Sequence, residues 1–305
     1  MKRWGMGCAA LLAAAGAQAE SARMSGKFAP PYREAGMLRS IGIDRIGGRD
    51  GRQLEMAIER ALSVPDVDGR PHFDLIAAFG GGRGPEGVLG GHVNSAVQDS
   101  RFKRKEKRCA EKKDGRCLRE EEVELDCTRR VMTVNADLRL TRLRDGRILY
   151  TVAKPWRNEI SWCQGQTPPG YVEDAFRGMI LDIAVEVRRD IAPVVEDYSI
   201  RFRESTRGLP KPLERPFKDI VRQTQRDLRG ACSAWQTIDA QAPDHPSVVF
   251  DLGLCAEAAG DYAGAMALYR RAAPLIGRGG NEATAGVERV GRLIAAREDD
   301  AARGR

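Results

Sequence analysis

Apolar residues recur along this chain with two periods. The stretch Leu38–Ile46 alternates apolar with polar residues and predicts a strand that ends at Gly47 and Gly48. Asp50 is a candidate N-cap for an amphipathic helix carrying Leu54, Ile58, Ala61 and Leu62, closed by Pro65. A second strand is expected over Phe73–Phe79. A third is expected over Gly87–Val97, where Gly90 and Gly91 mark a bulge or a close backbone approach. Alternating runs on either side of Asp145-Gly146 predict a long hairpin, because Asp-Gly between such runs is the strongest short hairpin signal. From Val172 the residues Phe176, Met179, Ile180, Ile183, Ala184, Val187 and Ile191 step by three and four and predict a helix with one buried face. Tyr198, Ile200 and Phe202 alternate as a last strand.

The order strand, helix, strand, strand, long hairpin, helix, strand predicts an α+β fold. Its first part is a mixed α/β sandwich domain over 38–205, preceded by a flexible leader over 20–37. A linker over 206–213 containing Gly208, Pro210 and Pro212 leads to an all-α part over 214–303. The glycine-rich stretch Gly80–Gly84 lacks the ending of a phosphate-binding loop and is expected to be a plain loop.

The amino terminus changes the setting. Lys2 and Arg3 precede an Ala/Leu-rich run to Ala17, and Ala17-Gln18-Ala19 has the form of a cleavage site, so 1–19 reads as a secretory signal peptide. The run is shorter than the ~20 residues of a membrane span. Removing Cys8 with the signal leaves six of the seven cysteines: Cys109, Cys117, Cys127, Cys163, Cys232 and Cys255. An even count in an exported chain predicts three disulfides, and no spacing fits a zinc site. Cys109 and Cys117 flank the turn pair Asp114-Gly115. With a two-residue turn at Asp145-Gly146, Cys127 falls opposite residue 164; one bulge, which Pro155 invites, brings it to Cys163.

Ala231 and Trp235 recur as Ala265 and Tyr269, 34 residues later. With Leu252, Gly253, Ala256, Gly260, Tyr262 and Ala272, the second unit resembles the tetratricopeptide repeat. This resemblance implies paired helices over 217–280 and a capping helix over 281–303. Cys232 and Cys255 would then lie on helices packed side by side, which makes them the third disulfide. The first domain resembles the periplasmic domain of the curli-secretion-channel family, and is similar to the amino-terminal domain of the Tol-system propeller protein. The residues that carry this are Gly87–Gly91 and the hairpin Leu143–Leu149. The resemblance implies assembly and partner binding; the chain lacks the lipidated cysteine and the long apolar hairpins that pore formation needs.

These readings predict an exported, periplasmic or secreted, non-enzymatic binding and assembly protein. Its expected partner is an envelope protein or peptide held by the helical repeats, with Asp251 and Glu257 as exposed groove contacts; Trp235, Tyr262 and Tyr269 are weaker candidates for lining the groove, since the repeat consensus places them in the core at helix crossings. An alternative partner, anionic surface polymer or lipid headgroups, would use a solvated basic loop carrying Arg101, Lys103, Arg104, Lys105, Lys107 and Arg108. Residues 101–122 hold ten Lys/Arg against six Asp/Glu. The net charge of +7 suits an anionic partner, but nucleic acid is not expected for an exported chain. No cofactor and no metal is expected. A hydrolase is the remaining class, and its only candidate pairing is His92 with Asp74, since no Gly-x-Ser-x-Gly elbow occurs.

Overall fold

A computed structural model describes residues 20–66, 68–77, 84–277 and 281–304. The expected signal peptide, the end of the Phe73–Phe79 strand and most of the Gly80–Gly84 loop lie outside them. The chain divides into two compact units. One comprises Lys27–Val195 with the residues from Ala295 onward, and the other comprises Glu196–Ile294 with the residues up to Gly26.

The first unit is a sheet with helices on one face. Its strands are β2 (Ser40–Gly47), β3 (Asp74–Leu75), β4 (Gly87–Lys113), β5 (Arg116–Arg142) and β6 (Ile148–Cys163), in the spatial order β3-β2-β4-β5-β6. The β3-β2-β4 pairings are parallel, while β4-β5-β6 is an antiparallel meander. Alternation sorts the side chains. Leu89 and Val93 of β4, with Met132, Val134, Ala136, Leu138 and Leu140 of β5, face inward and are buried. They meet Leu54, Ile58 and Leu62 of α2 (Gly51–Leu62) and Ile180, Ile183, Val187 and Ile191 of α3 (Val172–Ile191). Each such side chain contributes about 1.5–3 kcal/mol by leaving water. Helix α3 stops where expected, because Pro193 drives Ala192 into extended backbone.

The predicted helices and disulfides are present, but four expectations change. The leader contains β1 (Ser21–Phe28) and the short α1 (Arg33–Gly36), so it is not a flexible segment. The second strand is two residues long, not seven. The third strand continues through the expected basic loop to Lys113. The Asp145-Gly146 hairpin has a four-residue connection, with Arg142 pairing Arg147, and its bulge lies at Leu140/Thr141 beside the turn. Pro155 sits unbulged opposite Asn135. That early bulge sets the register in which Cys127 meets Cys163.

In the second unit β1 pairs with β7 (Val194–Arg201) in a separate two-stranded sheet, so the last expected strand does not extend the main one. The helices that follow are α4 (Lys211–Gln223), α5 (Leu228–Gln241), α6 (Pro246–Ala258), α7 (Tyr262–Ile276) and α8 (Glu282–Arg303), the last of which belongs to this unit as far as Ile294. Asp227 and Asp261 cap α5 and α7 by accepting the N–H of Gly230 and Gly264. The residues that recur at 34-residue spacing, Ala231, Trp235, Ala265 and Tyr269, are all fully buried. The expected linker is not free: Ser247 donates to the Ser205 carbonyl, His245 Nε2 donates to that of Arg207, and Leu209 is buried.

Candidate functional site

Three regions hold the residues singled out by the sequence. The most distinctive is an arm. Strand β6 ends at Cys163, opposite Cys127, which itself lies beside Phe102 of β4. Beyond this point β4 and β5 continue alone as a two-stranded ribbon to the turn at Asp114-Gly115, where both residues have positive φ (50° and 78°) as a tight hairpin turn requires. At about 3.4 Å per residue, the ribbon reaches some 37 Å past the end of β6.

Two-stranded ribbons without a core are marginal in water, and this one is reinforced at both ends. The Cys109–Cys117 disulfide closes the tip and Cys127–Cys163 closes the base, with Cα separations of 5.6 and 3.9 Å. A small apolar cluster of Phe102, Val123 and Leu125 surrounds the basal disulfide on one face. On the opposite face the charges are segregated by strand. Arg101, Lys103, Lys105 and Lys107 form a basic stripe on β4, while Glu120, Glu122, Glu124 and Asp126 form an acidic stripe on β5. Lys103 reaches Glu124 at 2.6 Å, Lys105 reaches Glu122 at 2.7 Å and Lys107 reaches Glu120 at 3.9 Å. Arg104 and Arg108 share Glu106. The residues read as a solvated basic loop are therefore strand residues, and five of the six have acidic partners. Sequence reasoning missed the acidic strand as their counterpart, although the run Glu120–Asp126 follows the turn at mirror-image distance.

The helical unit holds the second set. Asp251 and Glu257, expected as exposed groove contacts, are buried at 0% and 3% exposure. Glu257 accepts hydrogen bonds from Tyr198 (2.8 Å), Tyr269 (2.6 Å) and both Nε and an Nη of Arg289 (2.6 and 2.7 Å). Burial, with the Glu257 carboxylate adding to it, pushes the Tyr269 hydroxyl far above its ordinary pKa. Asp251 accepts the Arg203 N–H at 2.9 Å, and burial holds its carboxyl well above the ordinary range. Trp235 and Tyr269 are core residues and Tyr262 is half-buried. Polarity alone places these two side chains on an outward face of α6, but α6 is enclosed on nearly every side: ten of its residues are buried. The Cys232–Cys255 disulfide joins α5 to α6.

The third region is the sheet face away from α2 and α3. Here a concavity of about 820 Å³ is lined by Asp44, Gly90, His92, Asp137, Arg139 and Thr151, among others. Register makes His92 the cross-strand neighbour of Asp137, and its Nε2 lies 3.0 Å from Asn94 Oδ1. Asp74 pairs with Ser40, whereas His92 pairs with Gly47, seven residues further along β2. The structure therefore does not bring His92 to Asp74. It gathers Asp44, Asp137 and Arg139 around His92 instead, a grouping that cross-strand register alone creates.

No protein-family model matches the chain, and no curated protein sequence matches it. Three disulfides are formed, and among the described residues no helix is long and apolar enough to cross a membrane.

Proposed function

We propose that this protein is a non-catalytic binding and assembly protein of an oxidising envelope compartment, and that the ribbon arm is its contact element. The arm carries this reading. A ribbon of about 37 Å with one small apolar cluster at its base, and crosslinked at base and tip, holds its shape without a partner yet presents two open strand edges to one. Such edges are the backbone template for adding another strand.

The helical unit supports this role as a scaffold. The burial of Ala231, Trp235, Ala265 and Tyr269 fits a tetratricopeptide-like pair of hairpins, but it moves partner contact away from Asp251, Glu257, Trp235 and Tyr269. The ion pairs of Lys103, Lys105 and Lys107 with glutamates disfavour the anionic-polymer alternative, because counter-charges already lie within the ribbon. The non-catalytic reading rests on six cysteines committed to disulfides and on a His92 whose nearest polar partner is Asn94.

The test is a photo-crosslinking residue placed at exposed Leu118 near the tip, with a second at exposed Tyr171 as control. Irradiation of intact cells should yield a discrete protein adduct from position 118 and none from 171. Absence of an adduct from the arm would sink the reading.

A further inference from the structure

We propose that the partner of the arm is a second copy of the same chain, joined edge to edge with the basic β4 edge of one copy against the acidic β5 edge of the next. This rests on the binding role assigned to the arm and goes beyond it by naming the occupant.

Among the described residues both edges of the arm are open, and that of β4 is open further toward its base than that of β5. The ladder between β2 and β4 ends at Gly47 and His92, so β4 is unpaired on its outer side from Val93 onward. The ladder between β5 and β6 ends at Cys127 and Cys163, and the Asp126 carbonyl still accepts the Gln164 N–H, so β5 is unpaired on its outer side from Arg116 to Leu125. Strand edges of this length invite pairing, and proteins commonly blunt them with charged side chains. Here the two edges carry opposite charge on the same face.

Charge then selects among the three ways two ribbons can meet. Pairing β4 with a second β4 would set Arg101, Lys103, Lys105 and Lys107 against their own kind. Pairing β5 with a second β5 would set Glu120, Glu122, Glu124 and Asp126 against theirs, and like charges directly opposite are unfavourable. Only β4 against β5 alternates the stripes, giving each lysine an acidic strand on both sides where a lone ribbon supplies one. Matching the charged faces sets the arms in the same direction, and β6, which fills the outer side of β5 from Cys127 onward, confines the contact to the arms. Such a contact is heterologous, so it propagates and produces a ring or an open filament instead of a closed two-fold dimer.

The experiment is sedimentation of the full chain over a concentration series at low and high ionic strength. One variant carries Lys103→Glu, Lys105→Glu and Lys107→Glu, and a second carries Glu120→Lys, Glu122→Lys and Glu124→Lys. The native chain should associate at low salt and dissociate at high salt. Each variant alone should associate about tenfold more weakly or worse. An equimolar mixture of the two should associate again, since each then meets the opposite charge, although neither has the internal ion pairs. A third chain carrying all six changes should self-associate like the native protein, which separates edge pairing from loss of the internal zipper. A native chain that stays monomeric at low salt, or variants that associate unchanged, would overturn the proposal. If the chain is monomeric while Leu118 still crosslinks another envelope protein, self-pairing fails and the broader binding reading stands.

Discussion

Cys127 and Cys163 stand directly opposite each other in the β5-β6 ladder, Cα atoms 3.9 Å apart, at the last residue pair that β6 contributes. The bond sits where a three-stranded sheet becomes a two-stranded ribbon, so it stops the end of β6 from peeling away. Replacing both residues with serine is expected to lower global stability by about 2–4 kcal/mol, the usual range for a loop of this order. Denaturant unfolding measures it, and an unchanged midpoint would show that the ribbon base holds without the crosslink.

The tip disulfide should behave differently. Cys109 and Cys117 close a segment with no core beneath it, which opens locally before the rest of the unit. Cys109→Ser with Cys117→Ser should leave the global midpoint almost unchanged, while amide exchange over Lys103–Asp126 accelerates. Fast exchange confined to the turn alone would mean that the ion pairs and ladder suffice.

Glu257 is expected to be the most sensitive polar position of the helical unit. Glu257→Ala strands Arg289, itself largely buried, with the hydroxyls of Tyr198 and Tyr269 around an empty place. The cost should be about 3–5 kcal/mol, read from urea unfolding. A loss below about 1 kcal/mol, the scale of an exposed ion pair, would mean that water reaches the site.

Asp251 gives a pH signature. Burial raises its carboxyl, so the folded chain retains a proton there that the unfolded chain releases near pH 4. The stability contribution of this group is full below about pH 4 and declines as pH rises through the window up to the folded value. Asp251→Asn keeps an acceptor for the Arg203 N–H and removes the titration. The stability difference between the native chain and the variant should therefore shift in favour of the variant between pH 4 and neutrality. Parallel pH-stability curves would show that Asp251 is ionised in the fold.

His92→Ala should change stability by no more than about 0.5 kcal/mol, since the side chain is exposed on the open sheet face. It should also leave arm association unaltered. A hydrolytic turnover that this change abolished would replace the non-catalytic reading with a site built on His92, Asp137 and Asp44.

Much of this architecture is written in short-range pattern. The periods of α2 and α3, the turn residues Asp114-Gly115 and the pairs Cys109–Cys117 and Cys127–Cys163 are legible because each depends on residues near in sequence or on a simple ladder. The candidate site was less so. The hairpin reaches the expected pairing of Cys127 with Cys163 by another route, with a four-residue connection and a bulge at Leu140/Thr141 in place of a two-residue turn and a bulge at Pro155. Between Arg101 and Arg119 the apolar residues Phe102, Ala110 and Leu118 are too few and too scattered to mark a strand, so the outer half of β4 has the composition of a loop, and its pairing with β5 supplies the hydrogen bonds and the opposite charges.

Local conformational preference sets where backbone periodicity changes and brings Cys109 to Cys117 across one turn, whereas the pairing of Cys232 with Cys255 is legible only through the tetratricopeptide resemblance. Only the tertiary structure decided that Asp251 and Glu257 are interior, that His92 belongs with Asp137, and that the basic and acidic runs form opposed stripes on one ribbon. Burial and cross-strand neighbourhood are properties of surfaces brought together from distant segments, and no single segment carries them.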